Sequence, residues 1–185
     1  MSDLKLSTVD FIEEVGNDVE IDRLYILAGV ERYSTKIHKI SESVLDHIAI
    51  VAIISKALAR RFNLSKEEED RCISIALSHD LAESYVGDIT LEAKKYIKDL
   101  NSVKDAEKLI VNEHFSFFYN EFIEYEEQET ICSKIVKLAD HMGVYFYALQ
   151  EIESGNKRFE GEHLHNTAEL IEKKLNEIER MIENV

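Results

Sequence analysis

Between Cys72 and Leu77 the chain is apolar at helical spacing, and the run ends in groups that a hydrophobic core does not accept unpaired. His79 and Asp80 come first, Glu83 follows three residues later, and Asp88 stands just after Gly87. A helix turns once every 3.6 residues, so Glu83 is expected on the same face as His79 and Asp80. Gly87-Asp88 is expected to break that helix. Burying such groups costs free energy unless something pairs with them, and a metal ion pairs with several at once. Any fold open to this chain must bring partners to the end of an apolar helix.

The rest of the chain supplies more helices. There is no proline and there are only six glycines in 185 residues, a length that suits one domain with a sizeable core. Residues 7–15 form a short amphipathic piece interrupted at Gly16-Asn17-Asp18, and Val19–Val30 read as a second helix. Ser41 is a fitting N-cap for an apolar helix running to Phe62, which carries His47. Ser65-Lys66-Glu67-Glu68 is a capping box that starts the His79-Asp80 helix. Thr90–Ile97 is at most a short helix. Val103–Tyr125 and Glu126–Glu153 read as long amphipathic helices, the second closed by Gly155-Asn156. His163–Ile182 completes the set. No alternating strand pattern or internal repeat is present. The expectation is an all-α single domain over residues 1–185, a bundle of about five core helices. Its core spans about 19–159, with a peripheral helix at 160–183.

Composition narrows the partners. A net charge of -15 argues against a nucleic-acid scaffold, because phosphate backbones need basic surfaces. An anionic ligand would need local attraction from a metal and a few cations. Cys72 and Cys132 are isolated in apolar context and read as buried free thiols in a reducing compartment. Met1-Ser2-Asp3-Leu4 lacks the pattern of a signal peptide, and no apolar run approaches the ~18 residues of a membrane span. The cytoplasm is the expected location. The apolar stripe of the last helix, which needs cover, points to a homodimer or larger homo-oligomer.

Four residues stand out as candidate ligands of one divalent cation: His47, His79, Asp80 and Asp140. Each lies within an apolar helix, and three helices contribute. A mixed His/Asp set suits Mn, Fe, Co, Zn or Mg. Such a cation lowers the pKa of a bound water and neutralises phosphate oxygens. His38, His114, His163 and His165 read as ordinary surface or core residues, and His141 as a residue that could orient Asp140.

The ordered set His47, His79-Asp80, Asp140 resembles the signature of HD-domain metal-dependent phosphohydrolases. The neighbourhood is similar to bacterial 5′-deoxynucleotidases: Leu27-Ala28-Gly29-Val30-Glu31-Arg32-Tyr33, Glu42 to His47, Ala76 to Glu83, Gly87-Asp88-Ile89-Thr90, Lys137-Leu138-Ala139-Asp140, and Leu149-Gln150-Glu151 to Gly155-Asn156. The resemblance implies a nucleotide substrate and the following roles. Glu83 orients or deprotonates the attacking water, Asp88 contacts the sugar hydroxyl or protonates the leaving oxygen, and Arg32 and Lys94 hold phosphate. Tyr33 stands where relatives usually carry Trp, an aromatic that shapes sugar selection. Thr90-Leu91-Glu92-Ala93 replaces a proline-containing segment, and Ile48 replaces a frequent Ser. Compact phage enzymes that release triphosphate from dATP resemble the chain as well, with Lys94, Lys95, Lys36, Lys39 and Arg158 as sources of the extra cations. A 5′-nucleotidase is the leading reading and a triphosphohydrolase the alternative. A non-enzymatic helical module with a structural metal is the rival from another class.

Overall fold

A computed structural model of the chain describes residues 7–183, apart from the side chains of Glu162 and His163. The Met1–Leu4 stretch and the His163 side chain therefore lie outside the described residues. The regular elements of the described chain are all helices. Its only bridge of the strand type, among those residues, is an isolated antiparallel contact between Glu31 and Ser43. The helices are α1 Thr8–Asp18, α2 Ile21–Leu27, α3 Val44–Arg61, α4 Lys66–Ser78, α5 Glu83–Val86, α6 Leu91–Lys94, α7 Leu100–His114, α8 Tyr119–Glu127, α9 Ile131–Glu153 and α10 Glu162–Glu183. Helices α3, α4 and α9 pack on one another, and α10 lies along α9.

Several boundaries differ from the sequence expectation. Helix α1 runs through Gly16 to Asp18, and α2 stops at Leu27. The cap of α3 is Ser43, not Ser41: its hydroxyl accepts from Asp46 N–H while the Asp46 carboxylate accepts from Ser43 N–H. The Ser65–Glu68 capping box is present at α4. The expected helix over 103–125 is two helices, because Phe115 leaves helical dihedrals (φ −131°, ψ 42°) and a 3₁₀ turn at Ser116–Phe118 follows. Helix α4 ends at Ser78, well before Gly87. Its last carbonyls are taken by side chains: the Ser78 hydroxyl donates to Ile75 O and His79 Nδ1 to Ala76 O. Such local bonds compete with the helical ladder. Gly87, at φ +72°, closes the separate turn α5.

Two apolar clusters fill the bundle. One joins Val51 and Ala59 of α3, Cys72 and Ile75 of α4, Tyr125, and Ile135 to Ala139 of α9, with Ile178 of α10. The other joins Leu27, Val44, Ile48, Leu81, Val111, Phe115 and Phe122. His47 and His79 sit where these clusters meet. The last helix covers its own stripe: Ile171, Leu175 and the fully buried Ile178 pack inward, which removes that argument for an oligomer. No helix among the described residues is long and apolar enough to cross a membrane.

Candidate metal centre and its cleft

The four candidate ligands converge from three parts of the bundle. Helix α3 delivers His47 with no exposed surface, the end of α4 delivers His79 and Asp80, and α9 delivers Asp140. His47 Nε2 lies 3.1 Å from Asp140 Oδ1 and 3.9 Å from Asp80 Oδ2. His79 Nε2 lies 3.2 Å from Asp80 Oδ2. One ligand atom from each of His47, His79 and Asp80 falls within 4.8 Å of the others. Gly143, a turn beyond Asp140 on α9, makes room for this: a Cβ there would stand 3.3 Å from His47 Cε1.

The residues fit a cation. His79 donates its Nδ1 proton to Ala76 O at 2.7 Å, so Nε2, which faces the carboxylates, is the ring nitrogen available to a cation. That Nε2 is buried and has no hydrogen-bond partner. Two imidazoles and two carboxylates are a donor set for a divalent ion.

The charges around the centre are strongly biased. Burial would raise both aspartates, yet His79 holds Asp80, and Lys137 holds Asp140, well below the usual carboxylate range. Burial, with Arg32 next, pushes His47 down and keeps it neutral. Asp140 Oδ2 is gripped by Tyr125 Oη at 2.8 Å and Lys137 Nζ at 2.9 Å, and those two groups contact each other at 2.8 Å. The grip leaves Oδ1 turned to His47. The orienting role expected of His141 thus falls to Tyr125 and Lys137, and His141 lines the cleft beside them. Neither partner was singled out in the sequence. Lys137 had a signal, since three residues before Asp140 on a helix is the same face; Tyr125 had none.

The centre opens onto a cleft of about 300 Å³. Arg32, Tyr33, Glu83, Asp88 and Lys94 all line it; of the other cations named for a triphosphate, Lys36 lines it and Lys39, Lys95 and Arg158 do not. Arg32 is placed by its backbone, whose N–H donates to Glu42 O at 2.9 Å. Its guanidinium lies 3.1 Å from the Glu42 carboxylate and 3.6 Å from Asp80. Burial, then the negative charge of Asp80 and Asp88, pushes Glu83 up to about 10, and one of its oxygens is buried without a partner. Tyr33 has a left-handed backbone (φ +58°) and stacks flat on Tyr147 at 4.3 Å. Burial raises its phenol to about 12. Glu92, Glu107 and Glu126 also line the cleft.

A helical bundle that turns a His, a His-Asp pair and an Asp onto one polar cleft defines a class, the all-α metal-dependent hydrolases. Comparison with known proteins gives the family. The sequence profile of the HD domain matches residues 27–182, and the chain belongs to the HD-domain family. The 5′-deoxynucleotidase HDDC2 of Xenopus laevis is 34% identical over 158 residues, 82% of this chain and 72% of that one. The protein of the same name from Mus musculus is 31% identical over 121 residues, 63% of this chain and 59% of that one. Among solved structures, the PH0347 protein from Pyrococcus horikoshii superposes with a TM-score of 0.70 at 26% identity, covering 88% of this chain and 97% of that one.

Proposed function

We propose that this chain is a 5′-nucleotidase that removes phosphate from deoxynucleoside 5′-monophosphates with one divalent metal held by His47, His79, Asp80 and Asp140. The related 5′-deoxynucleotidases support the reaction class. The observation that carries the choice of substrate is the distribution of cations in the cleft. Arg32 stands beside the centre and can seat one phosphate, in the bidentate fashion that guanidinium favours. Only part of the cation set that a triphosphate tail would need is assembled: Lys36 and Lys94 line the cleft, and Lys39, Lys95 and Arg158 do not. Lys39 donates to Ser154 O, and Lys36 faces Glu92 at 3.8 Å. A structural metal in a non-enzymatic module would need neither Arg32 nor Glu83 on an open cleft.

The reaction follows from these positions. The metal, when bound, lowers the pKa of a coordinated water, neutralises phosphate oxygens and favours the ionised form of Glu83. Arg32, with Lys94 lining the same cleft, holds the phosphate oxygens. Glu83 aims the water at phosphorus and takes its proton as the new P–O bond forms. The bond from phosphorus to the 5′ oxygen breaks, and Asp88 supplies the proton that leaves with the nucleoside. Tyr33 borders the sugar. The two imidazoles favour Mn, Fe, Co or Zn over Mg as the resident ion.

The test is direct. The purified chain is incubated with each nucleoside 5′-monophosphate and triphosphate, ribo and deoxy, in the presence of Mn, Co, Zn or Mg, and the products are separated. Inorganic phosphate from deoxynucleoside monophosphates is the expected product. Release of intact triphosphate from a deoxynucleoside triphosphate, with monophosphates untouched, would transfer the chain to the alternative activity.

A further inference from the structure

The segment between α2 and α3 carries Arg32 and Tyr33, yet it has no helix of its own to hold it. Its two ends are paired to each other by the Glu31–Ser43 bridge, and its middle is held by one buried carboxylate far along α9. Glu151 has no exposed surface. Its Oε1 accepts from Ile40 N–H at 2.6 Å and Lys39 N–H at 2.9 Å, and its Oε2 accepts from Asn156 Nδ2 at 2.5 Å. Asn156 Nδ2 also donates to Ile37 O at 3.0 Å. One turn earlier on α9, the Tyr147 hydroxyl donates to Ile40 O at 2.7 Å, and its ring carries Tyr33. Lys39 Nζ closes the strap on Ser154 O at 2.7 Å. A buried anion met by this many donors is both paired and directional.

We propose that Glu151 is a positioning residue for the substrate side of the cleft. Through Ile40, Lys39, Asn156 and Tyr147 it sets the path of residues 33–42. That path holds Tyr33 in its left-handed conformation and fixes Arg32 between Glu42 and Asp80. A left-handed backbone at a residue other than glycine persists only where its surroundings impose it. The strap itself contacts none of the four proposed metal ligands, and reaches Asp80 only through the Arg32 guanidinium at 3.6 Å. The inference rests on the reading that Arg32 and Tyr33 receive the nucleotide.

Glu151→Gln replaces one oxygen by an NH₂ group and removes the charge, so a donor faces the donors of the strap. Tyr147→Phe removes only the hydroxyl and keeps the ring under Tyr33. For both variants, KM and kcat on a deoxynucleoside 5′-monophosphate, Mn affinity by calorimetry, and hydrogen exchange of the peptide spanning 31–43 are compared with the unmodified chain. Glu151→Gln should raise KM by ~10-fold or more, since small misplacements of binding groups are expensive in rate and affinity. kcat should change less, Mn affinity should stay the same, and peptide 31–43 should exchange faster. Tyr147→Phe should move the same quantities in the same direction by less. Unchanged KM in active variants overturns the proposal, as does loss of Mn affinity in step with KM, which would mark a general structural role. A chain with no turnover on any nucleotide before mutation defeats the functional reading instead, so the two failures are told apart.

Discussion

At the scale of single residues, the geometry separates ligands from the groups that aim them. Tyr125 and Lys137 occupy Oδ2 of Asp140 and leave Oδ1 for the centre. Removing Lys137 would change the charge as well as the orientation. Tyr125→Phe is the cleaner change, because it deletes only the hydroxyl, with its bonds to Asp140 and Lys137, and keeps the ring that meets His79 edge-on at 5.2 Å. Partners of metal ligands are worth ~10–100-fold in metal affinity. Tyr125→Phe should weaken Mn binding within that range by calorimetry while the far-ultraviolet circular dichroism stays the same. Glu151 gives a second expectation. Burial would raise its carboxyl, but Asn156 and the N–H groups of Ile40 and Lys39 outweigh that and hold it below the ordinary range. A depressed carboxyl contributes stability above its unfolded value of about 4.3 and loses it as pH falls through the folded value. The difference in Tm between the unmodified chain and Glu151→Gln should therefore be largest near neutrality and close in acid. A gap that widens on acidification would contradict it.

At the scale of elements, the capping at α3 and α4 makes a quantitative comparison possible. Ser43 and Ser65 close the same reciprocal motif, one with Asp46 and the other with Glu68. Ser43→Ala should cost about 1 kcal/mol. For a chain of this length that is a fall in Tm of ~2–4 °C by calorimetry. A much larger fall would mean that the cap also carries the neighbouring strap. The Ser65 box was legible because Glu at the third helical position is the usual partner. Ser43 was hidden behind Ser41, another residue of capping type two positions away. The break at Phe115 was not legible either, because Val111, Phe115, Phe118 and Phe122 keep helical spacing through it. Only weak helix formers at 115–119 hinted at it. The early end of α4 depends on where two side chains, Ser78 and His79, send their protons, which no periodicity encodes.

At the scale of the molecule, the all-α class was readable from the lack of proline and alternation, and the proposed ligand set was named from polar residues stranded in apolar helices. The segment from Glu151 to Asn156 stood out by resemblance, but its bonds to the strap were not readable, since the backbone donors of Lys39 and Ile40 lie more than a hundred residues earlier. The metal also has a global signature. A ligand that binds only the folded state adds about 2.7 kcal/mol at a hundredfold excess over its Kd. Saturating Mn should raise the Tm of the chelator-treated chain by ~5–10 °C. His79→Ala should show no such rise; a full response in that variant would place the ion elsewhere.

The position of His47 and His79 at the junction of the two apolar clusters has a consequence for how such a chain can change over time. The proposed centre joins two apolar clusters that α3 and α8 also link, through Ile48 and Val51 on one helix and Phe122 and Tyr125 on the other. Substitutions that retune the ion also loosen the seam, so variation in chemistry is expected to accumulate instead at the rim, in the segment of Arg32 and Tyr33 and at Glu92, Glu107 and Glu126.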